Sequence, residues 1–232
     1  MTHTYKYPRP GLVTDVVAFT LIAEKLHVIL IKRGIEPYKD KWALPGGYVH
    51  DGETVDECAS REMSEESGLA LPHKCLTEVS VYSQPGRDPR GWIVSVAFYA
   101  LVPRGTVDEN ALEAGSDARD ARWFPIDALP EGLAFDHYDI IQDAHKCLKN
   151  DIFGKLGGER NEVFSFLPEE FTLRELRDVL HSINGEEVFN RSTFVKAAEK
   201  NYPIEKAGRL VRHQANKPPN LYRLKKDAHS GS

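Results

Sequence analysis

Between Gly47 and Leu69 the sequence runs glycine, a glutamate after five residues (Glu53), Arg61-Glu62 after seven more, and then Glu65-Glu66-Ser67-Gly68-Leu69. Residues three and four apart share a helix face, so Glu62 is set beside both Glu65 and Glu66. Like charges at that spacing destabilise a bare helix. A hard divalent cation resolves the conflict, because Mg²⁺ takes carboxylate oxygens together with substrate phosphates. Three neighbouring acids alone more often make a solvated face, and here the flanks shift the balance. Thr54 with Glu57 three residues on forms a capping box that starts a helix. Gly68 stands where a left-handed residue would end it. Gly46-Gly47 allows the backbone to approach a ligand closely, with a carbonyl open to a metal. Arg61 can pair with Glu53 or with the acidic cluster.

Apolar, β-branched runs over 15–22 and 27–33 read as two strands joined by a turn at Ala23-Glu24-Lys25. Segments 77–83 and 92–102 read as two more, and 121–125 as a short final strand. Residues 84–91, rich in proline and glycine, carry Arg87, Asp88 and Arg90. A solvated hairpin would explain them. Alternatively the guanidinium forks clamp phosphate or ribose. From His137 to about Leu156, Ile140, Ile141, Ala144, Leu148 and Ile152 fall at helical spacing. We read this helix as the end of a first domain spanning 1–156, before a second spanning 157–232.

The chain has 232 residues and three cysteines, Cys58, Cys75 and Cys147, at spacings that suit neither a disulfide framework nor a zinc site. The expectation is a reducing, cytoplasmic setting, with Cys58 in the core. No run of eighteen apolar residues predicts a membrane span, and the first residues lack the apolar core of a signal peptide. The net charge of −5 conceals an asymmetry: residues 168–232 hold twelve Lys and Arg against nine Asp and Glu. Within 189–226, ten basic residues face only Glu199 and Glu205, so this part is expected to face a polyanion.

The same C-terminal part has its own pattern. Thr172 with Glu175 makes a second capping box, followed by a stripe of Leu173, Leu176, Val179 and Leu180. After a glycine-containing turn, Asn190 can cap a helix over 191–200 with Phe194, Val195 and Ala198 inward. Residues 208–224 then read as a hairpin with a basic tip. Helix, turn, helix and hairpin make a winged helix. In such modules the start of the second helix meets base edges, which would be Arg191, Ser192 and Thr193. Lys196 and Lys200 would hold phosphates. Arg209, Arg212, His213, Gln214 and Lys217 would be contacts of the wing. The competing reading is a winged helix used only for packing.

The segment from Gly47 resembles the Nudix box, Gly-x5-Glu-x7-Arg-Glu-U-x-Glu-Glu-x-Gly-U, with Met63 and Leu69 at the apolar U positions. The resemblance implies an α/β sandwich, a mixed sheet between helices, followed here by the small α+β winged-helix domain. It implies Glu62, Glu65 and Glu66 as Mg²⁺ ligands with the Gly46 carbonyl, Arg61 and Glu53 as a supporting ion pair, and metal-activated water attacking phosphorus. Residues 84–91 and 114–125 are similar to Nudix proteins acting on ADP-ribose, which implies ligand contacts from Arg33, Arg87, Asp88 and Arg90. The two domains together resemble Nudix-related transcriptional regulators of NAD metabolism. The implied function is a homodimeric regulator, expected to be a repressor, that binds a double-stranded DNA operator under control of ADP-ribose. An active Mg²⁺-dependent ADP-ribose pyrophosphatase with an accessory C-terminal domain is the alternative. A sugar-responsive regulator of the same domain pair is a third reading, against which the complete box argues. Glu109 and Glu113 are candidates for a water-activating base outside the box.

Overall fold

The computed structural model describes residues 6–103, 118–153, 162–185, 191–209 and 219–225. They divide into two compact units, the first drawn from 1–19, 27–100 and 108–147, the second from 20–26, 101–107 and 148–232.

The first unit is built on a six-stranded sheet. Its strands are β1 (Gly11–Ile22), β2 (Lys25–Arg33), β3 (Trp42–Ala43), β4 (Thr77–Tyr82), β5 (Ile93–Leu101) and β6 (Ala118–Pro125). The order is β3-β2-β1-β5-β4, with β6 pairing antiparallel to β2 from His27↔Pro125 to Arg33↔Ala118. Strand β1 is buried from Val13 to Leu21, as its nearly continuous apolar run requires of a central strand. By contrast β4 is a largely exposed edge. The β1–β2 turn uses Ala23 and Glu24 at φ 47° and 62°, the left-handed pair that a two-residue hairpin demands.

Helix α1 (Val55–Ser67) follows from its local signals. Thr54 accepts from the Glu57 N–H, the Glu57 carboxylate accepts from the Thr54 N–H, and Gly68 closes the helix at φ 74°. Such a cap contributes about 1 kcal/mol. Its buried face carries Cys58, Ala59, Met63, Glu66 and Ser67. Helix α2 (His137–Phe153) buries Ile140, Ile141 and Ala144. Strand β6 begins at Ala118, three residues before the expected start. Its early residues are Ala-Arg-Asp, of low strand propensity, and they are strand because β2 supplies a ladder for them.

In the second unit α3 (Leu173–Asn184) is capped by Thr172 and Glu175 and buries Leu173, Leu176, Val179, Leu180 and Ile183. Helix α4 (Arg191–Asn201) follows, then the antiparallel strands β7 (Ile204–Arg209) and β8 (Asn220–Leu224). Phe171 pairs with Tyr222 of β8 through an isolated antiparallel bridge. Phe164 packs on Phe171 and Tyr202, with ring centroids 5.5 and 5.9 Å apart. Two expectations need correction. The hairpin starts at Ile204, not at 208, because Ile204 pairs with Leu224. Val195 is 45% exposed, since Phe194 and Ala198 already occupy the inward face and Val195 is turned away from it. Asn190 lies outside the described residues, as do 154–156 at the expected end of α2.

Among the described residues no helix is long and apolar enough to cross a membrane. Cys58 is buried, and no disulfide joins Cys58, Cys75 or Cys147.

Candidate functional site

The start of β1, the 44–50 segment, α1, the 84–91 loop and the start of α2 surround one open cavity of about 380 Å³. The glycines at its edge are there for close approach. A Cβ on Gly46 would come 2.0 Å from the Thr14 carbonyl oxygen, and one on Gly47 2.3 Å from a Glu62 carboxylate oxygen. This segment lies along β1, with Thr14 and Val16 donating to the carbonyls of Gly47 and Pro45 at 3.0 and 2.9 Å.

Arg61 organises the acidic side. It donates to Glu53 through Nε (2.7 Å) and Nη2 (3.0 Å), to Glu62 through Nη1 (2.7 Å), and to the Tyr48 carbonyl (3.2 Å). Glu65 is 3.4 Å away. The hydrogen bonds from Arg61 hold the Glu53 carboxyl down at about 2. Glu66 is on the buried face and accepts from the Gly46 N–H at 2.9 Å. All three glutamates line the cavity. With Arg61 between Glu62 and Glu65, and Glu66 turned to Gly46, no three His, Cys, Asp or Glu side chains converge as a ligand cage among the described residues. The donor type, three carboxylates lining one cavity, nevertheless fits a hard cation.

The opposite wall carries residues that motif reading did not identify. Asp15 is buried in β1, where Ser95 donates to it at 2.5 Å, His137 Nε2 lies at 3.3 Å and Arg87 at 3.5 Å. Burial alone would raise the Asp15 carboxyl; His137, Ser95 and Arg87 outweigh it and hold the group below its usual range. His137 Nδ1 accepts from the Leu44 N–H at 2.7 Å, which leaves the ring proton at Nε2, facing Asp15. Arg87 is only 3% exposed and makes a bidentate pair with Asp136, at 2.6 and 2.8 Å. Arg90 pairs with the buried Asp88 at 2.6 Å. Arg33 donates to the Pro37 carbonyl at 2.8 Å. The four residues of the sequence reading, Arg33, Arg87, Asp88 and Arg90, thus all line the cavity. Both loop arginines already hold carboxylates, so an anionic ligand must share or displace those partners. A lone acid within an apolar strand was the available signal for Asp15; Phe135, Asp136 and His137 gave none.

In the second unit, Lys196 and Lys200 are exposed on α4, one turn apart. The two acids of this stretch are engaged: Glu199 by Tyr222 (2.8 Å) and Lys206 (3.7 Å), and Glu205 by Arg223 (2.8 Å). Arg191, Ser192 and Thr193 form the first turn of α4, and Arg209 ends β7. Arg212, His213, Gln214 and Lys217 lie outside the described residues, as do Glu109 and Glu113.

Comparison with known proteins follows the same division. The NUDIX domain family matches residues 11–144, and the NrtR DNA-binding winged helix domain matches 163–224. An ADP-ribose pyrophosphatase of Methanocaldococcus jannaschii is 43% identical over 137 residues, 59% of this chain and 74% of that protein. The ADPR responsive transcriptional repressor NtrR of Acinetobacter baylyi is 32% identical over 183 residues, 77% of this chain and 68% of that protein. Shewanella oneidensis NrtR in complex with a 27mer DNA superposes with a TM-score of 0.72 at 28% identity, covering 94% of each chain. The NUDIX domain of that protein, complexed with ADP ribose, gives a TM-score of 0.54 at 29% identity over 61% of this chain and 90% of that one.

Proposed function

This chain belongs to the Nudix family and carries an NrtR DNA-binding winged helix domain, and we propose that it is a DNA-binding transcriptional repressor controlled by ADP-ribose. The observation that carries the reading is the pairing, in one chain, of an arginine- and glutamate-lined cavity with a winged helix whose second helix exposes lysines. Its kinship to an ADPR-responsive repressor and to a DNA-bound NrtR supports the same reading.

Residues 1–156 form the sensor and 157–232 the DNA reader. The diphosphate is held by Arg87 and Arg90, with Arg33 nearby, through guanidinium forks. Glu62, Glu65 and Glu66, with the Gly46 carbonyl, would hold Mg²⁺, which neutralises diphosphate charge and activates water where hydrolysis occurs. Arg61, anchored by Glu53, keeps Glu62 and Glu65 in place. Arg191, Ser192 and Thr193 read base edges, while Lys196, Lys200 and the wing residues Arg209, Arg212, His213, Gln214 and Lys217 contact DNA from α4 and the wing. The protein works in the cytoplasm as a homodimer on a double-stranded operator, and its targets are genes of NAD metabolism. Control requires that ADP-ribose bind the DNA-competent and DNA-incompetent states with different affinity.

Calorimetric titration of the full chain with ADP-ribose, with and without Mg²⁺, tests the sensor half. Saturable binding, lost in Arg87→Ala, is expected; no binding under either condition contradicts it. The complete set of box glutamates and the 43% identity to a pyrophosphatase favour a second reading, in which the site also cleaves ADP-ribose. AMP release in the same tubes, abolished by Glu66→Gln, would identify it.

A further inference from the structure

We infer that the Arg87–Asp136 pair is an internal latch: Asp136 holds Arg87 in the place of a ligand phosphate, and a ligand that takes Arg87 frees Asp136 and with it the start of α2. The inference goes beyond the reading of the cavity as an ADP-ribose site and rests on it. Arg87 lines the cavity, yet its side chain is only 3% exposed. It donates from Nε to one Asp136 oxygen at 2.8 Å and from Nη2 to the other at 2.6 Å. In this fork geometry a guanidinium takes a carboxylate or a phosphate alike. The carboxylate therefore occupies donors that a diphosphate would use. A ligand that takes those donors displaces Asp136.

Asp136 also stands at the cap position of α2. His137 is the first residue of the helix, and the Asp136 carbonyl accepts from the Ile140 N–H at 3.1 Å. A carboxylate at this position ordinarily accepts from N–H groups of the helix's own first turn. Here each oxygen accepts from Arg87. Asp136 thus has two alternative sets of donors, the Arg87 fork and the first N–H groups of α2. An element with two discrete sets of partners is what a switch requires. The next residue is pinned separately. His137 accepts from the Leu44 N–H at 2.7 Å and faces Asp15 at 3.3 Å, so release of Asp136 leaves a fixed pivot beside it.

Helix α2 carries the change away from the cavity. It runs unbroken from His137 to Phe153 and buries Ile140, Ile141, Ala144 and Leu148. The two compact units divide inside it: residues up to Cys147 belong to the first, and those from Leu148 onward to the second. Strand β1 also divides between the units, after Phe19. Its Asp15, however, is held by Ser95 and His137 as well as by Arg87, so withdrawal of the arginine leaves two partners in place. Asp136 gives both oxygens to Arg87. Helix α2 is therefore the crossing element whose start depends on that arginine. A ligand that binds the released state better than the latched one acts on the second unit through α2, to the extent of that preference.

The test compares full-length wild type, Asp136→Asn and Asp136→Ser. Asparagine and serine both cap helices well, and neither carries the charge that holds Arg87. Calorimetry gives the affinity for ADP-ribose. Hydrogen exchange read by mass spectrometry follows the first turns of α2, and anisotropy gives the affinity for labelled promoter DNA with and without ADP-ribose. Both variants should bind ADP-ribose about fivefold or more tighter, because the internal competitor is gone. Loss of a merely structural contact would weaken binding. ADP-ribose should change exchange at the start of α2 in wild type but not in Asp136→Ser, and its effect on DNA affinity in that variant should fall below about twofold. Unchanged or weaker ADP-ribose binding by both variants, or a wild-type response of DNA affinity in Asp136→Ser, overturns the latch and leaves the repressor reading standing. Tighter binding and altered α2 exchange, with wild-type DNA affinity indifferent to ADP-ribose, leaves the latch standing and overturns the repressor reading. A wild type that binds no ADP-ribose overturns both.

Discussion

Arg61 grips Glu53 through two hydrogen bonds, of 2.7 and 3.0 Å, and uses its remaining amino group on Glu62 at 2.7 Å. One guanidinium thus ties the loop before α1 to the helix itself. It also fixes the orientation of a box glutamate nine residues beyond Glu53. His50 adds a backbone N–H to the same Glu53 carboxylate at 2.9 Å.

This pair makes stability depend on acid in a defined window. The folded-state Glu53 value of about 2 lies below its ordinary value of 4.5, so its contribution is complete above pH 4.5 and fades as pH falls toward 2. Glu53→Gln should cost about 1 kcal/mol at neutral pH and flatten the loss between those limits. Denaturant unfolding of both proteins across that range checks it; parallel curves would contradict it.

The two glycines before α1 should respond differently to a methyl group. At Gly46 it meets the Thr14 backbone carbonyl, which cannot move without shifting β1; at Gly47 it meets the carboxylate end of Glu62. Gly46→Ala should therefore cost about 2 kcal/mol or more in stability. Gly47→Ala should fold nearly normally but bind ADP-ribose and Mg²⁺ more weakly, because Glu62 is displaced. Thermal unfolding beside calorimetry separates the two effects.

Asp136 and Arg87 form a nearly buried pair, with Arg87 at 3% and Asp136 at 20% exposure. Removing one partner strands the other charge, so Asp136→Ala should destabilise by about 2 kcal/mol. The exposed pair of Arg119 and Asp40, at 3.0 Å, should show coupling of about 0.5 kcal/mol or less. Double-mutant cycles by denaturant unfolding compare them directly.

Burial pushes the Cys58 thiol up to about 11, whereas Cys75 is exposed. Alkylation of the native protein at pH 8 should modify Cys75 promptly and spare Cys58 until unfolding. Mass spectrometry of the labelled peptides reads the order, and rapid loss of Cys58 would refute the packing of α1 against Gly47.

What was legible in the sequence was local or periodic. Thr54, Glu57 and Gly68 announce α1 because a capping box and a left-handed stop act within a few residues. The same holds for Thr172, Glu175 and Gly185 around α3. Strand β6 from Ala118 and strand β7 from Ile204 were not legible in full, because pairing partners elsewhere in the chain decide them. The cavity divides in the same way. The box places its glutamates on one helix, but only the fold brings Asp15, Ser95, Asp136 and His137 together across 122 residues of chain. Val195 shows the limit of pattern reading within a helix, since an adjacent apolar residue is not thereby on the same face.

The most direct test is fluorescence anisotropy of labelled promoter fragments from NAD-biosynthesis genes, titrated with the full chain over excess non-specific DNA, with and without saturating ADP-ribose and Mg²⁺. The account predicts sequence-specific binding whose affinity changes by about tenfold or more when ADP-ribose is added, as coupling of this kind requires. DNA affinity indifferent to ADP-ribose, or no preference for any promoter fragment, would contradict it.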